Sequence, residues 1–90
     1  MKVLVQKYGG TSVANADRIR AVAERVNRAR APDRGVVVVV SAMGDTTDEL
    51  IALARSITPD PDPRELDLLL STGETVSATL LAMALRAIGT

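Results

Sequence analysis

The chain has 90 residues, 47% of them hydrophobic and 1% aromatic, with Tyr8 its only aromatic side chain. That length allows one domain at most, burying roughly 60–65% of its unfolded surface, with a core drawn from Val, Leu, Ile and Ala. Eleven basic and eleven acidic residues cancel, and there is no histidine or cysteine. Broad electrostatic binding to nucleic acid or an anionic membrane is thereby disfavoured, and disulfides, thiolate or imidazole metal sites and Cys or His catalysis are excluded.

The opening MKVLVQK is too short and too soon charged for a signal peptide. No apolar stretch in the sequence approaches the roughly 20 residues of a membrane span, so a cytoplasmic protein is the expectation.

Val3 to Gln6 reads as a short strand, and GVVVVVS (35 to 41) is the clearest strand in the chain. Five valines without polar alternation predict a central parallel strand covered on both faces. Between the strands, Ile19, Val22, Val26 and Ala29 recur at helical spacing, with Asn15 as N-cap and Asp17 in the first turn. Pro32, Asp33 and Gly35 form the loop back to the sheet, which completes a βαβ unit.

A second helix follows the valines. Thr46 as N-cap with Glu49 three residues on predicts a capping box, and Leu50, Leu53 and Ile57 form its apolar stripe. PDPDP (59 to 63) ends it as a stiff, extended connection. The remainder to Gly89 keeps a helical period, with Gly73 either a break or a place where another backbone comes close.

Three stretches carry chemistry. In KYGGTSV, Lys7 precedes Gly9, Gly10, Thr11 and Ser12 where the first strand gives out. Ligands of open α/β sheets bind at that edge, and glycine amides with a helix start suit phosphate oxygens. Neither GxxxxGK[ST] nor GxGxxG matches, so a tight turn with a solvated Lys7 stands as the equal alternative. SAMGDTTDEL offers Ser41, Thr46 and Thr47 at the same edge, where plain capping explains Thr46 but leaves Thr47 without a task. In STGET, Glu74 falls on or beside the apolar stripe, a costly place for a carboxylate unless a cation meets it. A Ser71–Glu74 capping box after a helix break is the competing reading.

KYGGTSV, VVSAMGDTTDEL and LLSTGETVSATLLAMAL together resemble, in order and spacing, the N-terminal part of the aspartate kinases, within the amino acid kinase family. The resemblance implies an α/β fold, an incomplete three-layer αβα sandwich on a mostly parallel sheet. It implies that residues 1–90 are the N-terminal portion of a catalytic domain whose second half and regulatory ACT domains lie outside them. The implied reaction is ATP-dependent phosphorylation of the side-chain carboxylate of L-aspartate to 4-phospho-L-aspartate, the first step toward lysine, threonine and methionine.

Carried over by position, Lys7 neutralises the transferring phosphoryl group. Tyr8, Gly9, Gly10, Thr11 and Ser12 surround the ATP phosphates, and Ser41 lies between phosphate and substrate. Thr47 helps hold the aspartate, and Glu74 pairs with its ammonium. Mg2+ accompanies ATP through ligands outside these residues, and the full-length enzyme is expected to be a homo-oligomer that touches neither nucleic acid nor membrane. Ninety residues are not expected to suffice for turnover. The alternatives are a βαβ module that binds phosphate or nucleotide without turnover, and a family member with another acyl acceptor.

Overall fold

The structure, a computed structural model, describes residues 1–90. Strands β1 (Lys2–Tyr8) and β2 (Arg34–Val40) pair in parallel, from Lys2 opposite Arg34 to Tyr8 opposite Val40. Between them run a single 3-10 turn (Gly10–Val13) and helix α1 (Ala16–Ala29). Helices α2 (Thr46–Ile57) and α3 (Pro63–Ala87) follow β2.

Helix α1 forms as its sequence requires. Asn15 adopts an extended conformation, and its Oδ1 accepts the Arg18 N–H at 2.9 Å, satisfying one of the unpaired donors of the first turn. Ile19, Val22, Ala23 and Val26 are buried on one side, while the arginines point to water. At the far end Arg34 Nε donates to the Ala29 carbonyl at 2.9 Å, tying the helix to the start of β2.

The core is a single cluster of Tyr8, Val13, Ile19, Val22, Ala23, Val26 and Leu81, with Val36, Val38 and Val40 packed against it. It lies between one face of the sheet and helices α1 and α3. The opposite face is open, with Val3 63%, Val5 62%, Val37 50% and Val39 46% exposed. The expected cover on both faces of the valine strand is therefore corrected: the helices share one side, and the smallest dimension, 17 Å, accommodates two layers.

Helix α2 departs from expectation at both ends. Asp45, not Thr46, occupies the N-cap position, and no side chain caps the helix, so the Thr46–Glu49 box does not form. Its stripe is not buried either, with Leu53 58% and Ile57 81% exposed, because α2 rides on α3 beyond the end of the sheet. There the two helices enclose an apolar cleft of about 280 Å³ lined by Leu53, Ile57, Leu66 and Leu69.

Helix α3 begins where the proline run ends: Pro63 sits at its first turn and Asp62 Oδ2 accepts the Glu65 N–H at 3.0 Å. It runs unbroken through Gly73, which settles the question of a break and removes the Ser71–Glu74 box. At 25 residues it is roughly 38 Å long, with a mean hydropathy of 1.5 over its most apolar window. By length and composition α3 could cross a membrane, which corrects the expectation that no stretch qualified. The cause is the stretch from Leu68 to Leu85, in which Glu74 is the only charged residue. Within the chain, its Gly73–Ser77–Leu81 line is buried. Ser77 Oγ donates to the Gly73 carbonyl at 3.3 Å, which satisfies the only polar side chain in the interior.

Leu81 is the one buried residue that α3 contributes to the apolar core cluster. Leu81→Ala is expected to destabilise the chain by about 2–4 kcal/mol in urea unfolding, whereas Leu68→Ala, on the exposed side, should cost less than about 0.5 kcal/mol.

Candidate functional site

Both strands end at the same edge, and the loops leaving them are laced together. The Ser41 N–H donates to the Tyr8 carbonyl at 3.1 Å, and the Gly44 N–H donates to the Gly10 carbonyl at 3.0 Å. Gly44 has φ +46°, a conformation that favours glycine. The loop from Gly9 to Ser12 is thus held against the loop from Ser41 to Gly44.

The two glycines of KYGGTSV have different tasks. A Cβ on Gly10 would stand 2.8 Å from the Ala42 carbonyl oxygen, so that glycine is required by close backbone approach. Gly9 has ordinary backbone angles, φ −76° and ψ 173°, and nothing lies within 4 Å of an added Cβ. The fold does not need a glycine there. The N–H groups of Gly9, Gly10 and Thr11 make no hydrogen bond within the chain, while the Ser12 N–H donates to the Gly9 carbonyl at 3.0 Å. Arg18 reaches the same loop, its guanidinium donating to the Thr11 carbonyl at 2.8 Å.

Strand alternation sends Lys7 and Tyr8 to opposite faces. Lys7 lies with Val3, Val5 and, across the pair, Val39 on the open face, and no carboxylate stands within 4.0 Å of its ammonium. Tyr8 enters the core, and its hydroxyl donates to Gln6 Oε1 at 2.9 Å. The structure therefore gives the Tyr8 ring a packing role, and only its backbone adjoins the loop.

Thr47 stands exposed in the first turn of α2, where the N–H groups of Thr47 and Asp48 have no partner within the chain. Glu74 lies one residue from Gly73, and a Cβ on Gly73 would stand 2.9 Å from the Ala42 Cβ and 3.4 Å from Thr46 Cγ2. Helix α3 is therefore seated on the segment that carries Ser41 and Thr47. Glu74 itself is exposed and has no ion-pair partner, so of the two expected positions, on or beside the apolar stripe, it takes the one beside it. The buried line runs through Gly73 and Ser77, small residues that a hydropathy pattern does not mark.

The chain brings together the Gly9–Ser12 loop, Ser41, the start of α2 and the Glu74 turn of α3, with Lys7 at the same edge but on the open face. None of its cavities is lined by Lys7, Ser41, Thr47 or Glu74. Gly44 takes the turn that its residue type predicts, whereas sequence reasoning missed Ala42, the residue on which the loop and α3 are seated. Its signal was the small-residue content of SAMG beside a mid-helix glycine.

Comparison with known proteins places the fold in a family. A model of the amino acid kinase family matches residues 2–90. The chain is 57% identical over 89 residues to the aspartokinase of Mycolicibacterium smegmatis, which covers 99% of this chain and 21% of that protein. It is also 57% identical to the aspartokinase of Thermus thermophilus, with 22% of that protein covered, and 53% identical to that of Corynebacterium glutamicum. Among solved structures, the aspartate kinase from Synechocystis superposes with a TM-score of 0.93 at 54% identity, covering 97% of this chain and 15% of that one. The chain spans about a fifth of the length of these curated relatives.

The lacing at the strand ends predicts a difference between the adjacent glycines. Gly10→Ala should open the Gly44-to-Gly10 hydrogen bond and speed exchange of the Gly44 amide about tenfold or more, while Gly9→Ala should leave that amide unchanged. With residues 2–90 matched and the fold shared at this identity, the chain belongs to the amino acid kinase family.

Proposed function

We propose that the chain is the N-terminal portion of the catalytic domain of an aspartate kinase, which uses ATP to phosphorylate the side-chain carboxylate of L-aspartate. The observation that carries this reading is Gly9. It is a glycine with ordinary backbone angles and open space around it, at the head of three unpaired N–H groups. A residue the fold does not need to be glycine, where the backbone offers donors to solvent, suits close approach by an anion.

The roles follow from position. The amides of Gly9, Gly10 and Thr11 receive phosphate oxygens, with Ser12 and Ser41 beside them. Lys7, without a carboxylate partner, supplies a compact positive charge to the transferring phosphoryl group. Thr47 and the free amides of the first turn of α2 face the substrate carboxylates, and Glu74 receives the ammonium. The nucleophile is already an anion, so transfer asks for positioning and charge stabilisation rather than a general base, in keeping with a chain without histidine.

No three His, Cys, Asp or Glu residues come together to hold a metal. Mg2+ would accompany ATP through ligands in parts of the kinase outside this chain. The same reading carries a cytoplasmic, homo-oligomeric enzyme and a ninety-residue piece that is inactive alone.

In the full-length kinase, Lys7→Ala should lower kcat about 100-fold or more, by analogy with the loss of one oxyanion donor. A kcat within about threefold of the parent excludes that role for Lys7. Glu74→Ala should raise the KM for aspartate far more than the KM for ATP, and equal effects on both count against ammonium recognition. A full-length protein that binds ATP without turnover would instead identify a nucleotide-binding module.

A further inference from the structure

Ala42 stands where two site-bearing segments meet, and it is itself buried, at 7% exposure. The loop after β1 seats on its backbone, with Gly10 so close that a Cβ would lie 2.8 Å from the Ala42 carbonyl oxygen. Helix α3 seats on its side chain, with the Gly73 Cβ position 2.9 Å from the Ala42 methyl carbon. Neither contact leaves room for another atom. The separation between the phosphate-facing loop and the turn bearing Glu74 is therefore set by the thickness of one alanine.

We propose that Ala42 is a positioning residue, its methyl group the spacer that fixes where Glu74 on α3 stands relative to the Gly9–Ser12 loop and Thr47. The inference rests on the aspartate kinase reading, in which Glu74 holds the substrate ammonium while the loop holds phosphate. A substrate whose ammonium and reacting carboxylate are a fixed distance apart needs those two sites at a fixed spacing. A larger residue at either side of the contact pushes α3 outward and carries Glu74 with it. The phosphate loop, seated on backbone rather than on the methyl, stays in place.

This separation of the two seats makes the spacer testable by moving the methyl across the contact. In the full-length kinase, Gly73→Ala adds a methyl against Ala42 and should raise the KM for aspartate about tenfold, with the KM for ATP changed less than about twofold. Adding Ala42→Gly to that variant restores the total volume at the contact and should return the aspartate KM to within about threefold of the parent. Ala42→Gly should not rescue Gly10→Ala, whose clash is with the carbonyl oxygen.

A purely structural role would shift the thermal midpoint and both KM values together. That outcome overturns the proposal, as does an aspartate KM left raised in the folded double variant. If Gly73→Ala does not fold, the double variant decides. Folding with a parental aspartate KM supports the spacer, and failure to fold overturns it. Glu74→Ala, measured alongside, separates the two layers of the argument. An unchanged aspartate KM in Glu74→Ala overturns the substrate reading and the spacer with it. A raised one beside an unmoved Gly73→Ala overturns the spacer alone.

Discussion

The packing of Gly10 and Gly73 onto Ala42 is the constraint on which the rest of the site depends. These residues are brought together by elements far apart in the chain, and each contact works because a side chain is missing or minimal. Interiors at this density do not absorb an extra methylene without displacement of whole elements. Ala42, two residues past the end of β2, is therefore the seat on which both segments of this edge pack. The hydrogen bonds from Ser41 to Tyr8 and from Gly44 to Gly10 act with it, extending the parallel pairing past the last strand residues. Loops that would otherwise be free at the strand ends are thereby made part of the scaffold.

The polar groups at this edge owe their availability to the same arrangement. A glycine-rich turn fastened through its carbonyls leaves its N–H groups without partners. Gly9 and Gly10 both give their carbonyl oxygens to bonds inside the chain, while their amides give nothing. The start of α2, without a side-chain cap, repeats the pattern at Thr47 and Asp48. Two sets of free donors thus stand at one end of a parallel sheet, the second beside the carboxylates of Asp45, Asp48 and Glu49.

Much of this was legible in the residues. Both strands, the Asn15 cap, the helix at Ile19–Val26 and the edge bearing Lys7 and the glycines followed from pattern and capping chemistry, because each depends on neighbours in sequence. What was not legible depends on contacts across the fold. Periodicity could not decide whether Gly73 breaks a helix or admits a neighbour, since both look the same in one dimension. Hydropathy left Glu74 on or beside the apolar stripe, and could not choose, because the buried line next to it runs through Gly73 and Ser77, which carry little hydropathy. Tyr8 sits between Lys7 and Gly9 in sequence, yet strand alternation turns its ring into the core. The Thr46–Glu49 motif was sound as a pattern, but Thr46 instead directs its methyl toward α3.

The open sheet face links stability to the site. Val3, Val5, Val37 and Val39 leave a band of apolar surface exposed, and Lys7 continues the same row at the strand end. Burying such a band is favourable at roughly 25 cal/mol per Å² of apolar surface removed from water. Any layer that covers these valines must pass beside Lys7, whose stem can lie along it while the ammonium reaches the edge. Excluding water from that side lowers the local dielectric, and so would strengthen the field of the ammonium at the strand-end edge. The valines and the lysine thus share one requirement. The interaction that completes the hydrophobic packing also turns an exposed strand-end charge into an enclosed one.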